Sequence, residues 1–168
     1  MKIKLTVLGI LLALASMAAL APAAIAAATP NSFNLISPNT ATAPSGTPFA
    51  GDTIRVTGSG TFDTSTGAIV ASGSFTHTHP TGTIVARGTW VATGFTSFKS
   101  FGGPNPGTQG GQLWLTATLF PNGGSPHTGI PMSITCLVGL GPGHGFEEGT
   151  TVDGFTNKTG GLTLFHID

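Results

Sequence analysis

The feature that most restricts this chain is a two-residue period running from Asp52 almost to its end, broken at short intervals by turn-forming residues. Alternation of apolar and polar side chains suits a strand, whose successive residues point to opposite faces. The runs Thr53–Phe62, 68–77, 83–98, 112–120, 130–140, 151–155 and 162–167 carry the β-branched and aromatic residues expected of strands. Between them lie explicit turn sequences: Asp63-Thr64-Ser65-Thr66-Gly67, His79-Pro80-Thr81-Gly82, Pro121-Asn122-Gly123-Gly124 and Asn157-Lys158-Thr159-Gly160-Gly161. Connections this short join antiparallel neighbours. No segment of 51–168 carries a helical period. The expected fold is all-β: one domain over 51–168, an antiparallel meander that closes into a small β-barrel.

A short internal repeat favours closure. Gly60-Thr61-Phe62, Gly73-Ser74-Phe75 and Gly88-Thr89-Trp90 fall in three successive strands. Glycine weakens a strand, so its recurrence needs a reason. Sheet curvature supplies one, with an aromatic ring from a neighbouring strand covering the bare backbone. The competing picture is a flat, glycine-rich sheet that stacks. The succession GSGTF, ASGSFTH, ARGTWVATGFTSF, TCLVG and TLFHI resembles a family of uncharacterised exported bacterial all-β proteins, a resemblance that implies no activity. In rhythm alone, the glycine–aromatic hairpins are also similar to the small barrels of the allene oxide cyclase and dirigent group. No site residue carries over from either, and fold does not give function.

The N-terminus reads as a secretory signal peptide over 1–26. Lys2 and Lys4 precede an apolar run from Leu5 to Leu20, Pro22 ends it, and small residues follow. Ala24-Ile25-Ala26 fits the shallow pockets of a signal peptidase, with cleavage after Ala26; cleavage after Ala28 fits nearly as well. A spanning helix wants about 20 apolar residues, more than this run has before its proline. The expected location is therefore secreted, or periplasmic and envelope-associated, with no membrane span in the mature chain. Residues 27–50, with prolines at 30, 38, 44 and 48 among Thr, Ser and Asn, read as a flexible lead-in that contributes at most an edge strand near Phe33 to Ile36.

Composition then removes function classes. Without Lys2 and Lys4, four basic side chains (Arg55, Arg87, Lys99, Lys158) face six acidic ones, a balance of −2. No nucleic-acid footprint can be built from that. Only 7% of residues are charged, yet 39% are hydrophobic, a combination that folds and leaves a Thr-, Ser- and Gly-rich surface open to self-association. Cys136 is the single cysteine, so there is no internal disulfide. Its alternation with Met132, Ile134 and Val138 suits a buried thiol.

Three groups of residues offer chemistry. His77 and His79 project from one strand face about 6–7 Å apart, a spacing that can chelate a divalent metal; it resembles the His-x-His of cupins but lacks their following glutamate. His166 is the candidate third ligand, since catalytic zinc commonly has three. The simpler reading is a pair of polar residues entering a turn, with no cofactor. Trp90, Trp114 and Phe98 can line a pocket for a hydrophobic small molecule, or simply fill the core. His144 with Glu147 or Glu148 can form an acid/base pair or help hold calcium, although adjacent carboxylates on a loop usually just keep it solvated. The long loop 99–111 is expected at the barrel mouth.

The reading these features favour is an exported, non-enzymatic barrel that binds a small molecule or plays a structural role. A barrel enzyme of cyclase or isomerase type acting on a hydrophobic substrate is one alternative. A subunit of an extracellular assembly is the other.

Overall fold

The computed structural model describes residues 30–105, 107–141 and 143–167. The leader read over 1–26 and both cleavage positions lie outside them. Among the described residues, eight strands form a single antiparallel sheet: β1 (Asn31–Thr42), β2 (Thr53–Phe62), β3 (Ile69–Thr78), β4 (Ile84–Asn105), β5 (Gly107–Pro121), β6 (His127–Cys136), β7 (Gly149–Val152) and β8 (Asn157–Ile167). No helix among the described residues is long and apolar enough to cross a membrane.

Strands β1 to β7 pair in sequence order, as a meander must, and β8 inserts between β1 and β5. Because β4 also pairs with β5, the strands β4-β3-β2-β1-β8-β5 close into a ring of six. Strands β6 and β7 continue from β5 on the edge that β8 leaves free, since β8 meets β5 only at Gly107–Gln109.

The turns behave as their residues require. Asp63 ends β2, and its carboxylate accepts the hydroxyl of Ser65 at 2.6 Å and the amides of Ser65 and Thr66. These donors, the Ser65 hydroxyl foremost, hold its pKa down to about 2. Gly67 then takes a φ of +72°, which lets the chain enter β3 without a Cβ clash.

The glycine–aromatic repeat explains the curvature. Phe62, Phe75 and Trp90 all point into the ring and are buried. Gly73 lies opposite both Gly58 and Trp90, so the Trp90 indole lies over two bare backbones and its Nε1 donates to the Thr57 carbonyl at 2.9 Å. A Cβ on Gly58 would stand 2.7 Å from the indole, and one on Gly73 2.6 Å. Aromatic packing continues toward the far end of the ring, where Phe98 meets Phe62 at 4.9 Å and Phe165 at 5.1 Å between ring centroids. Met132, Ile134 and Cys136 complete the core from β6, and burial pushes the Cys136 thiol pKa up.

Two expectations fail, both where proline and glycine suggest loop. The segment 27–50 is not simply a lead-in: β1 is an interior strand, paired with β2 on one edge and β8 on the other, and it buries Phe33, Leu35, Asn39 and Ala41. Its Pro38 falls where both ladders shift register, between Asn34 and Asn39 and between Ser37 and Thr40, so no ladder amide is missed there. The segment 99–111 is not a mouth loop either. Lys99 pairs with Gln112 and Asn105 with Thr108, so β4 and β5 extend as one hairpin. The chain after β6 packs on that hairpin, with Phe146 against Phe101 at 4.7 Å between ring centroids and Lys99 Nζ above both rings.

Among the described residues no strand ladder joins β7 to β8, and side chains span the seam instead. The Asn39 Oδ1 accepts the hydroxyls of Thr150 and Thr163, each at 3.2 Å. Glu148 accepts the Leu137 amide at 2.6 Å and the Thr163 amide at 2.7 Å. Lys158 donates to Thr135 Oγ1 at 2.7 Å and to the Glu147 carbonyl. Burial lowers its pKa, and the charges of Glu147 and Glu148 oppose that shift.

Candidate functional site

The ring interior is filled by side chains along most of its length. It opens at the end where β2 begins and β3 ends. That end is organised by the connection 43–52, which folds back on itself: the Ala43 amide bonds the Asp52 carbonyl at 2.9 Å, and the Asp52 amide bonds the Phe49 carbonyl at 2.8 Å. The arrangement carries Phe49 over the opening and points Asp52 inward. Asp52 shares a face with Ile54, and Ile54 lies opposite His77, so Asp52 and His77 are diagonal neighbours across the β2–β3 ladder.

The result is a close contact. His77 Nε2 lies 2.6 Å from Asp52 Oδ2, with only 13% of the histidine side chain and 8% of the aspartate side chain exposed. Two phenyl rings meet the imidazole edge-on, Phe49 at 5.7 Å and Phe155 at 5.1 Å between centroids. Beside them is a pocket of about 180 Å³. Its walls are mainly apolar, among them Ile54, Phe75, Leu119 and Ile130; His77, His127 and Asp153 supply the ionisable lining groups. His127 and Asp153 are exposed and sit at the rim. His77 is therefore the one ionisable group that is largely removed from solvent in this wall.

The three histidines expected to share a metal do not converge. His79 lies just past β3 in an exposed turn, where Nδ1 contacts Thr81 Oγ1 at 2.9 Å. His166 is opposite Ser32 in β1, whereas the His77 level reaches β8 at Lys158 through Ile54 and Ala41. Eight residues of strand, roughly 25 Å, separate those two levels. Among the described residues, no group of three or more His, Cys, Asp or Glu side chains is placed to hold a metal ion. His144 and the neighbouring glutamates are also engaged separately: His144 Nδ1 accepts the Phe146 amide at 3.1 Å, and Glu148 spans the seam.

The aromatic set divides in the same way. Trp90 and Phe98 face inward and are consumed by packing. Trp114 lies on the outer face of β5 opposite Ser133, in an open surface groove with Pro131 and Thr156. The residues that do form the pocket include Phe49 and Phe155, and Asp52 backs its His77; none of the three stands out locally. Asp52 lies 25 residues before His77, and only the hairpin register could have joined them.

No protein-family model, curated protein or solved structure matches this chain.

Proposed function

We propose that this chain is an exported binding protein that holds one small, largely apolar molecule in the pocket at the open end of its ring. The observation that carries this reading is the pocket itself: an apolar space of about 180 Å³ next to a single oriented polar side chain. Small-molecule sites have this character, with hydrophobic walls and a few placed polar groups. The volume suits a single ring, since an apolar cavity of about 150 Å³ accommodates benzene. Larger ligands commonly fill about 300 Å³ or more, so a modest ligand fits best. The charge-poor sequence and the leader-like N-terminus agree with a carrier working outside the cytoplasm.

Toluene is a suitable first probe. Titration into the ¹⁵N-labelled protein is expected to shift the amides of Ile54, Phe75, His77 and Phe155, and to leave them unmoved in an Ala86→Phe variant whose pocket is filled. No shift with either toluene or phenol up to its solubility, or equal shifts in both proteins, would overturn the reading.

The His77–Asp52 pair also supports a second reading, a proton-transfer enzyme of isomerase type, because a carboxylate-oriented imidazole beside an apolar space is a competent base. Turnover of a pocket-sized substrate that disappears in His77→Phe would favour it over simple binding.

A further inference from the structure

We infer that the molecule held in this pocket presents a hydrogen-bond donor, the O–H of a neutral phenol or a similarly small alcohol, to Nδ1 of His77. The inference rests on the binding reading above and adds the chemical class of the ligand. It starts from the 2.6 Å contact between His77 Nε2 and Asp52 Oδ2. An ionised carboxylate only accepts hydrogen bonds, so the proton in that contact belongs to Nε2. In a neutral imidazole, a proton on Nε2 leaves Nδ1 with a lone pair and no hydrogen. Asp52 thus selects the tautomer, and it does so from a buried position, with 6% of the residue exposed.

The ring is also fixed in orientation. Phe49 and Phe155 hold it edge-on, and Nε2 is tied to Asp52, so the imidazole cannot flip without breaking a charge-assisted bond. Among the described residues, the one side-chain hydrogen bond of His77 is that of Nε2, and no buried side-chain polar atom is left unpaired, so Nδ1 keeps access to solvent. While the pocket is open, water can satisfy that lone pair. A ligand that fills the pocket excludes the water, and a ligand without a donor then leaves a desolvated acceptor unpaired. The other ionisable groups, His127 and Asp153, are at the exposed rim and keep their own solvation. The donor requirement therefore falls on one atom. The volume limits the rest of the ligand to about one six-membered ring.

The choice between ligands follows from desolvation. Toluene leaves water more readily than phenol, so a pocket that only buries apolar surface prefers toluene. A pocket that must also satisfy His77 Nδ1 reverses that order, and leaving a buried acceptor unmet costs enough to separate the two by about tenfold or more.

The experiment compares phenol, toluene and benzonitrile, which share a ring and differ in donor and acceptor character. Binding is followed at pH 8 by amide shifts, and the His77 ring nitrogens by long-range ¹⁵N correlation. Phenol is expected to bind at least tenfold more tightly than toluene or benzonitrile and to move Nδ1 upfield while Nε2 stays put. In His77→Leu the order is expected to revert to toluene first, and in Asp52→Asn, whose amide can donate to Nε2 and move the proton to Nδ1, the phenol preference is expected to shrink. Should either variant fail to fold, the nitrogen shifts of the unaltered protein still decide. Equal binding of phenol and toluene, or tighter binding of benzonitrile, overturns the donor assignment and leaves the pocket reading standing. Binding of none of the three overturns both.

Discussion

Gly73 shows how much of this fold depends on the absence of a side chain. Its backbone faces Gly58 on one neighbour and the Trp90 indole on the other. A Cβ added there would run into the Thr57 carbonyl, the same oxygen that Trp90 Nε1 bonds, and would stand 2.6 Å from that nitrogen. Since the obstruction is largely backbone, it cannot be relieved by a rotamer change. Gly73→Ala is therefore expected to lower stability by about 1–3 kcal/mol, read as a shift of the urea midpoint. Gly160→Ala, where nothing lies within 4 Å of the added carbon, is the control and is expected to stay within about 0.5 kcal/mol. Equal effects at the two sites would refute the steric account. The triplets Gly60-Thr61-Phe62, Gly73-Ser74-Phe75 and Gly88-Thr89-Trp90 already signal this arrangement in the sequence, because residues two apart must share a face.

At the scale of elements, the strands bounded by unmistakable turns are legible and the others are not. β2 begins and ends where the sequence says, since Asp63 and its Ser65 partner stop it sharply. β1 is hidden by its prolines, because whether Pro38 breaks a strand depends on register shifts that only the two neighbouring strands create. The 99–111 hairpin is hidden by its glycines, which in the folded chain allow close approach: Gly139 packs on Gly102, and Gly110 on Val138. The β7–β8 seam is invisible in the sequence altogether. Glu148 reads there as a solvated loop residue, yet its two oxygens serve amides of different segments. Glu148→Ala is expected to cost roughly 1–3 kcal/mol by leaving those amides unmet and to speed hydrogen exchange at Leu137 and Thr163 ahead of the rest of the sheet. Unchanged exchange at both positions would show that Glu148 does not hold the seam.

For the whole molecule, closure of the ring is the decisive property, and β1 is central to it. With β1 removed, β2 and β8 lose their shared partner and the ring opens into a sheet with two unprotected edges. A chain beginning at residue 43 is expected to show no cooperative thermal transition, whereas one beginning at residue 27 or 29, the two expected products of leader cleavage, unfolds cooperatively. Circular dichroism separates the outcomes, and a cooperative transition in the shorter chain would return residues 27–50 to the status of a dispensable lead-in.

What the sequence alone determined is the class of fold and most of its strands, because a two-residue period and turn chemistry are local and need no partner to be read. It also offered Trp90 as an aromatic that could fill the core, as it does. What only the tertiary structure decided is which inward residues meet. Trp90 went to the glycines, Trp114 to the outer surface and His166 to the far end, while Asp52 crossed a hairpin to reach His77. The reason is physical: face is fixed by counting along one strand, but level along the ring is fixed by register between strands, and the pocket exists at only one level.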